Sequence, residues 1–524
     1  MSNTFYQAPE SAPTHEPVTP PAPPISSVPP VKTVAPLSGS KKAQVVLLLI
    51  SCILFVDFGL FGLMNMGYTI TMWATTIFYL IFAGKGKNTF YSWSCISLAL
   101  ISTVVFALYN DTLILFALFN LYLILLSAAL CDRFEVGKYS TGSFRNVADM
   151  FVLIFAYPFM AMGKAVKALF KREHKGIIHN KGVLTGLICA IPVIAIIVPL
   201  LISADAAFEK MFGFLKEISA VRSAFAVILG SIVFFFVYCH AYAAQNRSYP
   251  RVPRNTPQRT VLPTAALMSF TGAISLVYIM YIVSQLTYFF SAFIGETPAD
   301  FLPAAYARRG FFEMCVICVI NLGIMFFVIL LSGRYKGKIQ KPIAAICTFI
   351  SMFSLLLIGT AQSKMYLYIS RFGLTRMRVL TSVFMFFLAT VFIVLILRLF
   401  ITKMPYMRPL ILIAALITIT LGLVDVDATI ARYNIEAYQS GKLSTIDTSE
   451  LRSLGDGAVP YMIELLDDKD EKVRQDITDD LKRRHRALEF WADDGFDFRS
   501  YNYSKYRALR ILNENAERIG IINQ

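Results

Sequence analysis

The sequence predicts an all-α protein, a polytopic transmembrane helical bundle of about eleven spans with a small C-terminal helical domain. Three observations lead there. Of 524 residues, 56% are hydrophobic and only 16% charged, against about 45–50% and about 25% in soluble domains. The apolar residues gather in runs near twenty long, which at about 1.5 Å per residue cross about 30 Å of hydrocarbon. These runs are continuous rather than alternating, so each satisfies its backbone amides internally as a helix and not across a barrel. Such a chain is not an ordinary soluble enzyme.

Residues 1–42 precede the first run. The first forty hold 10 of the 23 prolines, including Pro20-Pro21-Ala22-Pro23-Pro24. Proline fixes the backbone near polyproline II and few large apolar side chains offset ordering entropy, so a disordered cytoplasmic tail is expected, with no cleavable signal peptide at Met1. From residue 43 to 429 the sequence reads as the bundle. Spans are expected at 43–63, 66–83, 91–109, 112–130, 182–204, 223–244, 262–288, 310–332, 342–362, 379–401 and 409–425. Residues 149–170 form a shorter amphipathic stretch. Met150 to Met162 contains Pro158 and leads into Lys164, Lys167, Lys171 and Arg172, a pattern of interfacial rather than spanning segments.

Charge sets the threading. Residues 430–524 carry 15 Lys/Arg and 18 Asp/Glu, whereas residues 1–429 carry 34 and 16. The last region needs water; the basic excess belongs to the bundle and reads as topology and lipid-surface charge, not nucleic-acid binding. With eleven spans and the tail inside, inside segments from Lys41 onward hold 23 Lys/Arg and outside loops 9, as the positive-inside rule requires. An odd number of spans puts 430–524 on the extracytoplasmic side. There, Gly457 to Arg474 has helical apolar spacing, an acidic turn and a second amphipathic start, similar to one unit of HEAT-type repeats.

Catalytic scaffolds are absent from the sequence. No two of His15, His174, His179, His240 and His485 have zinc-helix spacing, and there is no nucleophile elbow, P-loop or dinucleotide fingerprint. No enzyme activity, metal or cofactor is expected. Seven of the eight cysteines lie in candidate spans, and the Cys315/Cys318 pair sits among apolar residues as packing.

Charges inside spans are costly and mark candidate sites. Asp57, between Val56 and Phe58 in the first span, is the clearest, as an ion or proton group or as a buried packing pair. In Tyr306-Ala307-Arg308-Arg309-Gly310-Phe311-Phe312-Glu313, Arg309 and Glu313 are four apart and share a helix face. Arg308, Arg309 and Glu313 are read as an interface anchor or an anion or lipid-headgroup site. Lys364, Arg371, Arg376 and Arg378 place four basic groups outside, against the charge rule. Pairing with Glu296, Asp300 or Glu313, or a bound anion, is the expected compensation, and Gly373 supplies the turn.

At these residues the chain resembles an uncharacterised family of bacterial multi-pass inner-membrane proteins, a domain of unknown function. The resemblance rests on Tyr306 to Glu313, on Tyr368 to Arg378 with its Phe372-Gly373-Leu374-Thr375 core, on Ile430-Ala431-Arg432-Tyr433-Asn434, and on Arg499 to Ser504. It implies a bacterial cytoplasmic-membrane protein and supplies no activity or catalytic residue. The expected function is a non-enzymatic envelope sensor or assembly component, meeting lipids, envelope proteins through 430–524 and cytosolic proteins through 1–42. A transporter of an ion, lipid or small solute is the alternative; Pro192 and Pro199 interrupt one span, but no internal repeat is visible.

Overall fold

The computed structural model describes residues 37–60, 65–136, 142–170, 220–246, 262–294, 304–332, 334–335, 338–401, 404–493 and 498–521. The proline-rich tail up to residue 36 and the expected span at 182–204 lie outside the described residues.

The chain is a run of helices, some of them started by a side-chain cap. Helix α1, Gly39–Leu54, passes directly into a π-helical turn, Phe55–Leu60. Helix α2 is Met66–Ala83. Helix α3, Phe90–Leu108, starts with a capping box between Thr89 and Ser92, and α4, Thr112–Arg133, starts with Asp111, whose carboxylate accepts from the amides of Leu113 and Ile114. Those amides have no partner within the helix, and the short polar side chains before α3 and α4 satisfy them. Helices α5, Asn146–Phe155, and α6, Tyr157–Phe170, follow, then α7, Ala220–Gln245. The second half contains α8, Thr264–Ile294, and α9, Ala304–Leu331. A hairpin of two two-residue strands, Arg334–Tyr335 and Lys338–Ile339, leads to α10, Lys341–Phe372. Helix α11 is Arg376–Phe400, capped by Thr375, and α12 is Met407–Leu423.

Among the described residues nine helices are long and apolar enough to cross a membrane, and the number reaches eleven if two bent pairs each count as one span. One bent pair is α5 with α6, at 42°; the other is α12 with α13, Val426–Gln439, at 60°. The chain is therefore an integral, multi-pass membrane protein with an all-α bundle. Its lipid-facing surface is apolar, as in Phe116, Met280 and Phe386, each over 60% exposed, because lipid tails impose no penalty on outward hydrocarbon.

The last region is a small head of four shorter helices and one of 23 residues. After α13 come α14, Thr448–Ser453, α15, Val459–Met462, α16, Glu471–Asp493, α17, Tyr503–Glu514, and α18, Ala516–Ile519. The acidic stretch from Asp467 to Asp470 separates a 3-10 turn, Ile463–Asp467, from α16, the place where the amphipathic pattern restarts in the sequence.

Two hydrophobic cores divide the bundle. The first joins α1 to α7, the middle of α12 through Ile411, Ala415 and Ile419, and the head. The second joins α8 to α11 with Tyr406 and Leu410. Helix α12 thus borders both lobes. At the amino-terminal end of the bundle, Lys41 Nζ donates to the Phe82 carbonyl (2.8 Å) and Arg408 meets Asp132 (2.6 Å). At the other end, the π-helical turn, the α3–α4 turn, the start of α7 and the α10–α11 turn all lie beside the head. Residues 39 and 442 are consequently at opposite ends. Helix α4 finishes at the amino-terminal end and α7 starts at the head end. Leu153, Phe159 and Ala165 of α5 and α6 all meet α7 between Phe236 and His240, a rise of about 6 Å, near one level rather than along its length.

This arrangement predicts that Lys85→Cys, in the α2–α3 turn, and Lys442→Cys, in the head, react with an impermeant thiol reagent from opposite sides of sealed vesicles. Reaction of both from one side would contradict the threading.

Candidate functional site

The densest polar structure lies where the head meets the bundle. Arg376, the first residue of α11, lies with Nε 3.1 Å from Asp111 at the start of α4 and donates from Nε (3.2 Å) and Nη2 (2.7 and 2.8 Å) to Asp427 in α13. The two carboxylate side chains are only 9% and 6% exposed and the guanidinium 29%. A bidentate arginine suits this position because its planar fork serves two acceptors in fixed geometry. The Arg376 amide also donates to Glu450 of α14 (3.3 Å), and Asp427 accepts the Gly455 amide (2.8 Å). Asp111 therefore caps one helix and neutralises a cation from another.

The ladder continues into the head. Asn110 donates to Asp456 (2.9 Å), which faces Arg484 at 3.6 Å. Arg484, 8% exposed, also bonds Asp480 (2.7 Å) and the Leu454 carbonyl (2.8 Å). Beside it, Asn434 of α13 accepts the Leu374 amide (2.6 Å) and donates to the Leu374 carbonyl (2.8 Å). Gly373 makes that approach possible. It has φ +76°, and a Cβ there would stand 2.6 Å from the Asn434 oxygen, so both the backbone and the space select glycine.

A second clamp joins the head to α1 and α2. The Met66 and Gly67 amides, unsatisfied by their own helix, donate to the carbonyls of Tyr501 (3.1 Å) and Arg499 (3.0 Å). Asp57 lies in the π-helical turn next to this contact. It pairs with Arg222 of α7 at 3.1 Å and faces Arg499 of the head at 3.8 Å. The same Arg222 donates to the Asp57 carbonyl (2.8 Å), and Arg499 lies 4.9 Å from the Phe58 ring centroid.

The other residues singled out from the sequence fall elsewhere. Glu313 and Arg371 are exposed, on α9 and α10 in the second lobe, away from Asp57 in the first. The side chains of Arg308 and Arg309 lie outside the described residues, as do Glu296 and Asp300. Of the four basic groups at the α10–α11 turn, Arg376 is compensated by Asp111 and Asp427, not by the acids of the preceding loop. Arg378 donates to the Phe372 carbonyl (2.9 Å) and to the Gly373 carbonyl, and lies 4.3 Å from the Tyr368 ring centroid.

Neutral polar groups inside the bundle pair across helices. Tyr79 meets His240 (2.7 Å), Thr76 meets Tyr122 (2.6 Å), and Asn321 links Tyr278 to Ser354. Cys315 and Cys318 contact Met385 and the Ser354 carbonyl, which accords with packing. No group of three metal-ligating side chains occurs among the described residues. What the junction can do is mechanical: opposite charges and backbone bonds fasten a polar head to a membrane bundle.

Sequence reasoning missed Asp111, Asp427 and Arg376 as partners. The signal for Asp111 was present, an acidic residue immediately before an apolar run. Nothing local identified its partner, because Arg376 is paired through tertiary folding.

Replacing Arg376 with Ala strands two buried carboxylates and is expected to cost on the order of 3 kcal/mol, read as a lower melting point and faster proteolytic release of the head; R376K should recover only part. Asp447, the cap of α14, gives a pH-dependent contribution. Its carboxylate accepts from the Ser449 hydroxyl and the amides of Ser449 and Glu450, which hold its pKa below the ordinary 3.8 against the opposing effect of burial. The stabilisation is present above that ordinary value and is lost as pH falls through the lower folded value. D447A should cost about 1 kcal/mol at neutral pH, while D447N should keep the cap and abolish this acid dependence in a melting series.

A family model described as a domain of unknown function, DUF4153, matches residues 95–465. No curated protein and no solved structure matches the chain. The matched interval runs from within α3 to within the 3-10 turn before α16, and so takes in Asp111, Arg376 and Asp427 together. On that match, covering well over half of its length, the chain belongs to the DUF4153 family.

Proposed function

We propose that this protein is a non-enzymatic assembly component of the bacterial cytoplasmic membrane, a scaffold that presents its head at the extracytoplasmic surface. The observation that carries the reading is the clamp at Arg376. One side chain from a bundle helix engages a carboxylate at a bundle turn and another at the base of the head, while the Met66 and Gly67 amides bind the backbone of the head directly. A head tied at two places presents a fixed surface, which suits docking of other envelope proteins. The 23 to 9 distribution of Lys/Arg between the two sides supports placing the head outside and residues 1–42 in the cytosol, where the tail would meet cytosolic proteins.

Transport is the weaker reading. Alternating access requires polar groups to converge near mid-depth, whereas Asp57 is bound at the head end of the first lobe and Glu313 and Arg371 belong to the second.

Spin labels at Lys87→Cys and Glu514→Cys, both exposed in the folded chain, test the scaffold. A single narrow distance distribution, unchanged by a proton gradient and broadened by R376A, is expected. Two interconverting distances, or solute flux in proteoliposomes above that of empty vesicles, would refute a static platform.

A further inference from the structure

The head carries a groove of about 300 Å³ where α14, α16 and the first turn of α17 meet. One wall is a single face of α16. Arg483, Arg484, Ala487, Leu488 and Trp491 recur at helical spacing and form one stripe along it. Arg484 is structural. Only 8% exposed, it bonds Asp480 (2.7 Å) and the carbonyls of Arg452 (3.2 Å) and Leu454 (2.8 Å), which fixes α16 against the end of α14. Arg452 and Arg483 are instead open to solvent, the Arg483 side chain being 61% exposed. Arg483 pairs with Asp480, a bond that uses one of the five N–H donors of a guanidinium. Trp491 stands at the far end of the stripe, with Lys505 of α17 5.5 Å from its ring centroid. Four cations therefore line the groove against one carboxylate, Asp456, among the described residues, and Asp480 beneath them is a second acid.

We propose that this groove receives an acidic, extended segment of a partner envelope protein, an inference that rests on reading the head as a docking platform. A carboxylate of the segment accepts from Arg452 and Arg483, whose planar forks match its two oxygens. An aromatic side chain of the same segment packs on Trp491 and Leu488. Helical rise sets the spacing between them. From Arg483 to Trp491 is eight residues of α16, about 12 Å, which an extended chain covers in about four residues at about 3.3 Å each. Side chains four apart in an extended segment share a face, so an acid and an aromatic residue at that separation enter the groove together. A phospholipid also offers an anion, but its acyl chains would meet only Leu454, Ala487, Leu488 and Trp491, flanked by cations.

The test uses the full chain in phosphatidylcholine nanodiscs and surface plasmon resonance. The probe is an acetylated, amidated peptide, Gly-Glu-Ser-Ala-Ser-Phe-Gly. One control replaces its Glu with Gln; another moves its Phe one place, onto the opposite face. The probe should bind, and each control should bind roughly tenfold more weakly. R452E, which leaves the Arg452 carbonyl in place for Arg484, should weaken the probe by at least as much. A487F should do so by filling the groove while leaving all four cations. No binding of the probe, equal binding of either control, or binding unchanged by R452E and A487F would overturn the proposal. Glycerol 3-phosphate or short-chain phosphatidylglycerol binding more tightly than the probe, with the same sensitivity to both variants, would overturn the peptide assignment in favour of a phosphate. The platform itself is judged by the distance between labels at residues 87 and 514. A narrow distance without peptide binding refutes the groove alone, and two interconverting distances with peptide binding refute the platform alone.

Discussion

The junction depends on one guanidinium placed between two carboxylates in water-poor surroundings. Arg376 begins a bundle helix, Asp111 begins another, and Asp427 stands at the base of the head. Burying any one of these charges alone would be expensive, and their mutual pairing is what makes the position tolerable. The neighbouring contacts are consistent with that constraint. Asn434 binds both polar groups of the Leu374 backbone, and Gly373 leaves the room for it. Asp456 and Arg484 extend the charge pattern into the head, so that the transition from lipid to water is made through paired groups rather than through an abrupt hydrophobic edge.

Division into two cores gives the rest of the architecture its character. Each lobe packs its own aromatic and aliphatic side chains, with Tyr68 on Phe106 in the first (4.4 Å between ring centroids) and Tyr278 on Phe353 in the second (4.2 Å). Neutral polar pairs occur within each lobe, Tyr79 with His240 on one side and Asn321 with Ser354 on the other. In hydrocarbon such bonds contribute modestly, because unpaired alternatives also find partners; their main effect is to orient neighbouring helices.

Much of this was readable from residue order. Runs near twenty apolar residues long gave the helices, and Gly373 marked the turn between two spans. Pairing was not readable in the same way. Asp57 meets Arg222 across 165 residues and Asn110 meets Asp456 across 346, and no local periodicity encodes which acid meets which base. The four basic groups near the α10–α11 turn were visible as an exception to the charge rule, but acids in the adjoining loop were nearer in sequence than the aspartates that Arg376 binds. The helix α10 also continues past its hydrophobic part, to Phe372 rather than residue 362, because Lys, Tyr and Arg are good residues for a helix emerging among headgroups.

Helix α12 closes the first lobe late in the chain. Its Gly422 packs close to Val105 and Leu118, and its Arg408 reaches Asp132 from 276 residues downstream. During biosynthesis, at roughly 5–20 residues per second, α3 and α4 therefore wait tens of seconds with one flank unfilled. A partly inserted nascent chain in that interval displays Asp132 and an aliphatic flank at Val105 and Leu118 to whatever shares the translocon exit, so shielding that flank during insertion is a requirement separate from the stability of the finished bundle.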